Sequence, residues 1–183
     1  MKTESTVKFV LRLALTLLAI TAVVAVALAG VNSITAPAIA ELNAQKTQEA
    51  IELVLPGGGE EVAEFPAADL VAKVYKGENG YAVQTTPGGF DNTITMMVGI
   101  DNEGKALGIS IISHTETAGL GAVAAAKTSA GENFRSQFVG ASGSVGTAKR
   151  GTGTLNAITG ATITSEAVCV GVNAALDCVA NLG

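Results

Sequence analysis

The 183-residue chain has no tryptophan, one histidine and two cysteines. So few soft ligands exclude a four-cysteine iron–sulfur cluster, and the absence of a C-x-x-C pair or a His cluster leaves no zinc signature. Cys169 and Cys178 stand nine apart in a helix-like tail. A helix separates residues so spaced by about 13.5 Å and turns them to opposite faces, too far apart for a disulfide. No G-x-G-x-x-G follows a strand pattern, so the dinucleotide fingerprint is missing. Basic residues are also scarce, 11 Lys and Arg against 16 Asp and Glu, and they form no cluster. Nucleic acid binding runs on phosphate neutralisation and is therefore excluded as a function. No internal repeat is present.

Apolar residues, by contrast, make up 48% of the chain and are concentrated at its start. No charged residue lies between Leu13 and Ala40, and the run from Leu13 to Val31 approaches the ~20 apolar residues that cross a bilayer as a helix. Lys2, Lys8 and Arg12 precede it, and no Lys or Arg follows until Lys46. The positive-inside rule then keeps the N-terminus cytoplasmic and places the remainder outside. Ala27-Leu28-Ala29 before Gly30 also fits a signal-peptide cleavage site. The run is longer than the ~7–15 residues of a signal h-region, which favours an uncleaved single-pass anchor. Both readings put the later residues in the same compartment, and no cysteine stands near the run to carry a lipid. Beyond Val31 remain eight basic and fifteen acidic residues, an acidic domain.

The expected organisation is a cytoplasmic N-terminus over 1–12, a transmembrane helix over 13–33, a stalk helix and linker over 34–59, and an extracytoplasmic domain over 60–183. Pro37 can open the stalk helix, with Ile39, Leu42, Ala50, Leu53 and Val54 as a partial apolar stripe and a glycine run as its end. From Leu70 the pattern changes to short β-rich runs, LVAKVYKG, YAVQTT, TITMMVGI and ALGISIISH, separated by the turn clusters GENG, PGGFDN and DNEGK. This spacing predicts an antiparallel meander. A helical stretch from Gly121 to about Phe138, a Gly/Ser/Thr-rich loop over 140–153 and a terminal helix from about Thr164 to Leu182 follow. Strands followed by helices define an α+β domain, an antiparallel sheet with packed helices.

Two stretches carry candidate chemistry. In HTETAGLG, His114 to Gly121, the glycines at 119 and 121 permit a sharp turn or a close ligand approach. An ordinary strand-to-helix loop accounts for the same residues, and a lone histidine is more often structural than catalytic. In NAITGATITS, residues 156–165, hydroxyls crowd a helix start. Ser and Thr favour such positions as caps, where they accept from N–H groups left without partners. The same N–H groups, the helix dipole, Gly160 and the hydroxyls of Thr159, Thr162 and Thr164 also suit a phosphate. Local sequence leaves both readings open.

The segment GGFDNTITMMVGIDNEGKALGISIISHTETAGLG followed by NAITGATITS, behind one N-terminal anchor, resembles the G subunit of the Rnf electron-transport complexes. More broadly, it is similar to the FMN-binding domain shared with the C subunit of the sodium-translocating NADH:quinone reductases. That family carries a pattern Asp-x-x-Ser/Thr-Gly-Ala-Thr whose last Thr holds FMN through a phosphoester made by a flavin transferase. The resemblance places this Thr at Thr162, with Thr159, Gly160 and Ala161 before it, Ile163 and Thr164 beside it, and Asn156 at the family's Asp. A second family segment, Glu-Thr-Pro-Gly-Leu-Gly, matches Glu116, Thr117, Gly119, Leu120 and Gly121, with Ala118 for the proline. It implies that this loop, with His114 and an aromatic such as Phe90 or Phe134, surrounds the flavin ring.

The resemblance thus implies covalent FMN and an electron-relaying subunit of a complex that couples ferredoxin:NAD oxidoreduction to ion translocation, and the residues themselves offer no metal site. Its partners would be the other membrane and peripheral subunits, the transferase and membrane lipid, in the cell (inner) membrane. The C subunit of a sodium-translocating quinone reductase, a stand-alone extracytoplasmic flavoprotein, and an anchored sensor or scaffold binding an anion reversibly are the alternatives.

Overall fold

The computed structural model describes residues 3–65, 69–148 and 153–182, with side chains from Val7 onward. Part of the expected 140–153 loop lies outside the described residues. The chain divides into two units, Met1–Ala44 and Gln45–Gly183. The first unit holds the greater part of helix α1 (Thr3–Val54), which there exposes Leu13, Leu15, Leu17, Leu18, Val23 and Val26. Apolar exposure on all sides of a helix matches lipid as its solvent. Pro37, expected to open a second helix, lies inside α1 instead. A proline removes one N–H bond, and helix-forming sequence continues on both sides of it.

In the second unit a five-stranded antiparallel meander runs in chain order: β1 (Glu60–Glu61), β2 (Val71–Gly77), β3 (Gly80–Thr85), β4 (Thr95–Asp101) and β5 (Ala106–Ser113). The turns explain the register. Gly77 pairs with Gly80 around a two-residue connection, and Gly80 takes φ +147° with Ile100 O against the place a Cβ would occupy. Between β4 and β5, Asp101 Oδ1 accepts the N–H groups of Glu103 and Lys105 at 2.9 and 2.8 Å. The β3–β4 connection holds PGGFDN as a tight loop, closed by Gly89 N–H to Asn92 O at 2.8 Å and Ile94 N–H to Pro87 O at 2.9 Å. Phe90 and Asp91 stand at its tip.

Alternation along the strands gives the sheet two apolar faces. Tyr75, Ala82 and Met97 receive Ala50, Ile51, Val54 and Leu55 from the end of α1 and the turn after it. The opposite residues, Val74, Val83, Met96, Val98 and Ile100, pack against α2 (Ser129–Ser136) and α3 (Thr162–Ala180). Gly171 lets α3 come close, since a Cβ there would meet Met96, Pro87 and Thr85 at 2.9 Å. Both cysteines are free and buried on α3.

The helical stretch expected over 121–138 is two pieces, a 3-10 turn (Gly121–Ala124) and α2. Thr128 caps α2 by accepting Gly131 N–H at 3.4 Å, which starts a new helix where a continuation was expected. The terminal helix begins at Thr162, two residues earlier than its apolar pattern suggested.

Candidate functional site

The start of α3 sorts its hydroxyls into different roles. Ser165, fully buried, donates to Ala161 O and accepts from Ile158 N–H, both at 2.9 Å. It ties the segment before the helix to the helix's first turn. Thr164, also buried, donates to Glu116 Oε2. Thr159 is exposed and Thr162 half-buried, and neither side chain has a hydrogen-bond partner among the described residues. The N-cap position, Ala161, supplies no side-chain bond. Ser165 N–H is the first to find a helical acceptor, Ala161 O at 3.0 Å. The N–H groups of the preceding first turn therefore face outward, where an anion is favoured. Gly160, at φ +78°, makes the bend that exposes them.

Glu116 organises the other side. The residue is 7% exposed, and a carboxylate so placed requires hydrogen-bond partners. Oε1 accepts Phe90 N–H at 2.8 Å and Asp91 N–H at 3.4 Å, and Oε2 accepts the Thr164 hydroxyl at 2.5 Å. Two glycines make room for it, because a Cβ on Gly89 or Gly121 would run into the carboxylate oxygens. The loop after β5 then turns through Leu120 N–H to Thr117 O at 3.1 Å, with Gly119 at φ +77°.

Together these elements enclose a cavity of about 310 Å³. Glu116, Gly121 and Thr164 line its interior, and Gly160, Ala161 and Thr162 present the helix start. Phe90, Leu120 and Ile163 contribute apolar walls that remain 67%, 44% and 49% exposed. An apolar slot ending at an uncapped helix start suits a flat, amphipathic ligand carrying one anionic group.

Most, but not all, of the sequence candidates meet here. Thr117 lines the cavity, whereas Gly119 and Thr159 line a neighbouring groove of about 650 Å³ together with Asn156 and Phe134. Phe134 is a core residue, edge-on to Phe138 at 5.4 Å. His114 lines neither space and is half-buried, its Nδ1 enclosed without a hydrogen-bond partner. Sequence reasoning missed the roles of Gly89 and of the Phe90 and Asp91 N–H groups. The PGGFDN cluster was visible as a turn, but no local signal says that its tip folds onto a residue 26 positions later.

Residues 89–177 match the FMN-binding domain family, a span that starts at the glycine beside Glu116 and includes the whole cavity. The molecule is thus an FMN-binding domain protein behind an N-terminal apolar helix.

Among similar proteins is the G subunit of the Na(+)-translocating ferredoxin:NAD(+) oxidoreductase complex of Acetobacterium woodii, 36% identical over 96% of this chain and 94% of the relative. The G subunit of the proton-translocating ferredoxin:NAD(+) oxidoreductase complex of Clostridium ljungdahlii is 38% identical over 53% of this chain and 51% of its own length. The G subunit of the ion-translocating oxidoreductase complex of Methanosarcina acetivorans is 29% identical over 94% of this chain and 95% of its own length. The chain belongs to the family of G subunits of the ion-translocating Rnf complexes.

Proposed function

We propose that this chain is the membrane-anchored, electron-carrying flavoprotein subunit of an Rnf-type complex that couples ferredoxin:NAD oxidoreduction to ion translocation, with FMN joined by a phosphoester to Thr162. Family membership supports the complex, the other subunits as partners, and FMN as the cofactor. The charge asymmetry around α1 supports a domain held outside the cytoplasmic membrane, in contact with lipid through its anchor.

The residues present fit the cofactor. The uncapped first turn of α3 faces the cavity, Gly160 lets backbone approach, and apolar side chains line a slot for a ring system. Glu116 is compatible with a bound anion nearby because its oxygens are already held by three donors. One observation carries the attachment point. Among the hydroxyls of the 159–165 stretch, Thr162 alone both lines the cavity and lacks an internal partner among the described residues.

When bound, FMN supplies the electron-carrying chemistry; the protein's part is to hold and shield it. The α3 N–H groups would face the phosphate, and Phe90, Leu120 and Ile163 would keep water from the ring. Attachment requires a transferase and a flavin dinucleotide donor. Thr162 Oγ forms the new bond to phosphorus as the bond from phosphorus to the nucleotide leaving group breaks. The hydroxyl proton passes to a base on the transferase, and no electron changes hands.

The test is coexpression with a flavin transferase, followed by denaturation and peptide mass spectrometry. Yellow colour retained after denaturation, with the flavin mass on Thr162 and absent from a folded Thr162→Ala protein, is the expected result. Thr162→Ser should keep some attachment, because it retains a hydroxyl. Flavin on Thr159 or Thr164 in the wild type would overturn the assignment, and a colourless denatured wild type would favour a reversible anion-binding domain.

A further inference from the structure

Gln137 lies outside the two candidate motifs, yet its side chain grips the start of the acceptor loop. Its Oε1 accepts Asn156 N–H at 2.7 Å, and its Nε2 donates to Asn156 O at 3.2 Å and to Phe134 O at 3.5 Å. The pairing fixes the amide's orientation, since a flipped amide would set Nε2 against the N–H group. Asn156 itself is exposed and opens the sequence Asn-x-x-Thr-Gly-Ala-Thr that ends at Thr162.

The clamp is rigidly mounted. Gln137 is the C-cap of α2, between Phe134 and Phe138, which are both in the core. Arg135 fastens the same turn by donating to Ala124 O and Ala126 O at 2.7 and 3.0 Å. Upstream, Leu155 is tied to the 146–148 segment by Leu155 N–H to Gly146 O and Ala148 N–H to Leu155 O. Downstream, Ile158 is held by Ser165. Among the described residues Gln137 provides the side-chain hold between those points, on the two groups that set the backbone direction at Asn156.

We infer that Gln137 is a positioning residue for flavin attachment: by clamping both backbone groups of Asn156 it fixes the loop from which Thr162 is presented to the transferase. The inference rests on Thr162 as acceptor. In-line transfer to phosphorus depends on where one hydroxyl points, so a loosened loop lowers the rate of the chemical step more than the affinity of the two proteins.

The experiment measures flavin transfer to purified full-length chain with a transferase and a flavin dinucleotide, comparing wild type, Gln137→Ala, Gln137→Met and Gln137→Glu. Met keeps the volume with neither bond, and Glu keeps the short acceptor bond. Ala and Met should lower kcat about tenfold or more, with KM for the chain changed less than about twofold. Glu, whose second oxygen would face the Asn156 and Phe134 carbonyls in place of a donor, should recover at most part of the loss. Hydrogen exchange on the unmodified protein gives a second readout, because the Asn156 amide should be protected in wild type and Glu, and exposed in Ala and Met. Wild-type rates in folded Met protein or a change confined to KM would each overturn the inference. If Ala fails to fold, the Met variant decides, and if no variant folds, a wild-type Asn156 amide exchanging as fast as an open peptide overturns it. A wild type that carries no flavin on Thr162 would instead reject the acceptor assignment.

Discussion

Thr164 Oγ1 donates to Glu116 Oε2 at 2.5 Å, joining residues 48 positions apart. The bond fastens the first turn of α3 to the loop after β5. Because the other carboxylate oxygen receives the N–H groups of Phe90 and Asp91, one side chain fixes three sides of the cavity. It also accounts for the choice among hydroxyls, since the Thr164 proton is engaged inside the protein while Thr162 faces the cavity.

Removing that carboxylate should cost stability before it affects chemistry. Glu116→Ala leaves the buried Thr164 hydroxyl without its acceptor, a loss of about 1–3 kcal/mol, and releases the Phe90 and Asp91 N–H groups at the exposed loop tip. Glu116→Gln keeps one acceptor oxygen and should lose less. Thermal denaturation of the unmodified full-length protein, followed by near-UV circular dichroism, should rank wild type above Gln and Gln above Ala.

Two glycines in the same loop should respond differently. A methyl group at Gly121 enters the space of the Glu116 carboxylate and the Thr164 hydroxyl. Gly121→Ala should therefore disturb the cavity and reduce flavin attachment. At Gly119 a Cβ meets nothing within 4 Å, but φ is +77°. Gly119→Ala should cost about 1 kcal/mol of backbone strain and leave attachment near wild type. Side-by-side stability and flavin-occupancy measurements separate the two effects.

The meander was legible because its turn clusters and its alternation are local. GENG and DNEGK mark the hairpins that bracket β3 and β4, and none of the four long strands extends more than one residue beyond its β-rich run. β1 was not legible. Two glutamates carry no strand signal, and they are placed by pairing with Lys76 and Tyr75 and by a Glu61–Lys73 ion pair at 2.9 Å. At the site, a hydroxyl-rich helix start could be read from residues 156–165, but its division of labour could not. Ser165 resembles Thr162 in sequence; what separates them is burial and contact with Ile158 and Ala161. Glu116 was suggested by family resemblance, whereas its three donors come from segments that only the tertiary fold assembles.

The cysteines offer a pH-dependent check on α3. Burial, reinforced by the charge of Glu166, raises the Cys169 thiol from 9.0 to about 11. At pH 8 both buried thiols should resist alkylation in the folded protein and react once it is unfolded. Between pH 9 and about 11 the unfolded chain releases the Cys169 proton while the folded chain retains it. Stability should therefore fall as pH rises through that window, and more weakly in Cys169→Ser than in wild type. Equilibrium denaturation across this range, with alkylation mapped by mass spectrometry, provides the measurement.

Orientation is the last prediction, and it follows from three charges. Lys2, Lys8 and Arg12 stand before the apolar run, and no basic residue follows it until Lys46. Carrying a positive charge outward against a membrane potential costs about 2.3 kcal/mol per 100 mV, so three of them hold the N-terminus inside. Trypsin added to right-side-out vesicles should cut at or beyond Lys46 and spare an N-terminal epitope, and inverted vesicles should give the opposite pattern. The mature protein should retain residues before Gly30. Replacing Lys2, Lys8 and Arg12 together by glutamine removes the asymmetry and should produce a mixed orientation, visible as partial protection on both sides. Uniform outward exposure of the domain in that triple variant would mean that something other than these charges sets the topology. A mature N-terminus at Gly30 would instead show that the apolar run is cleaved.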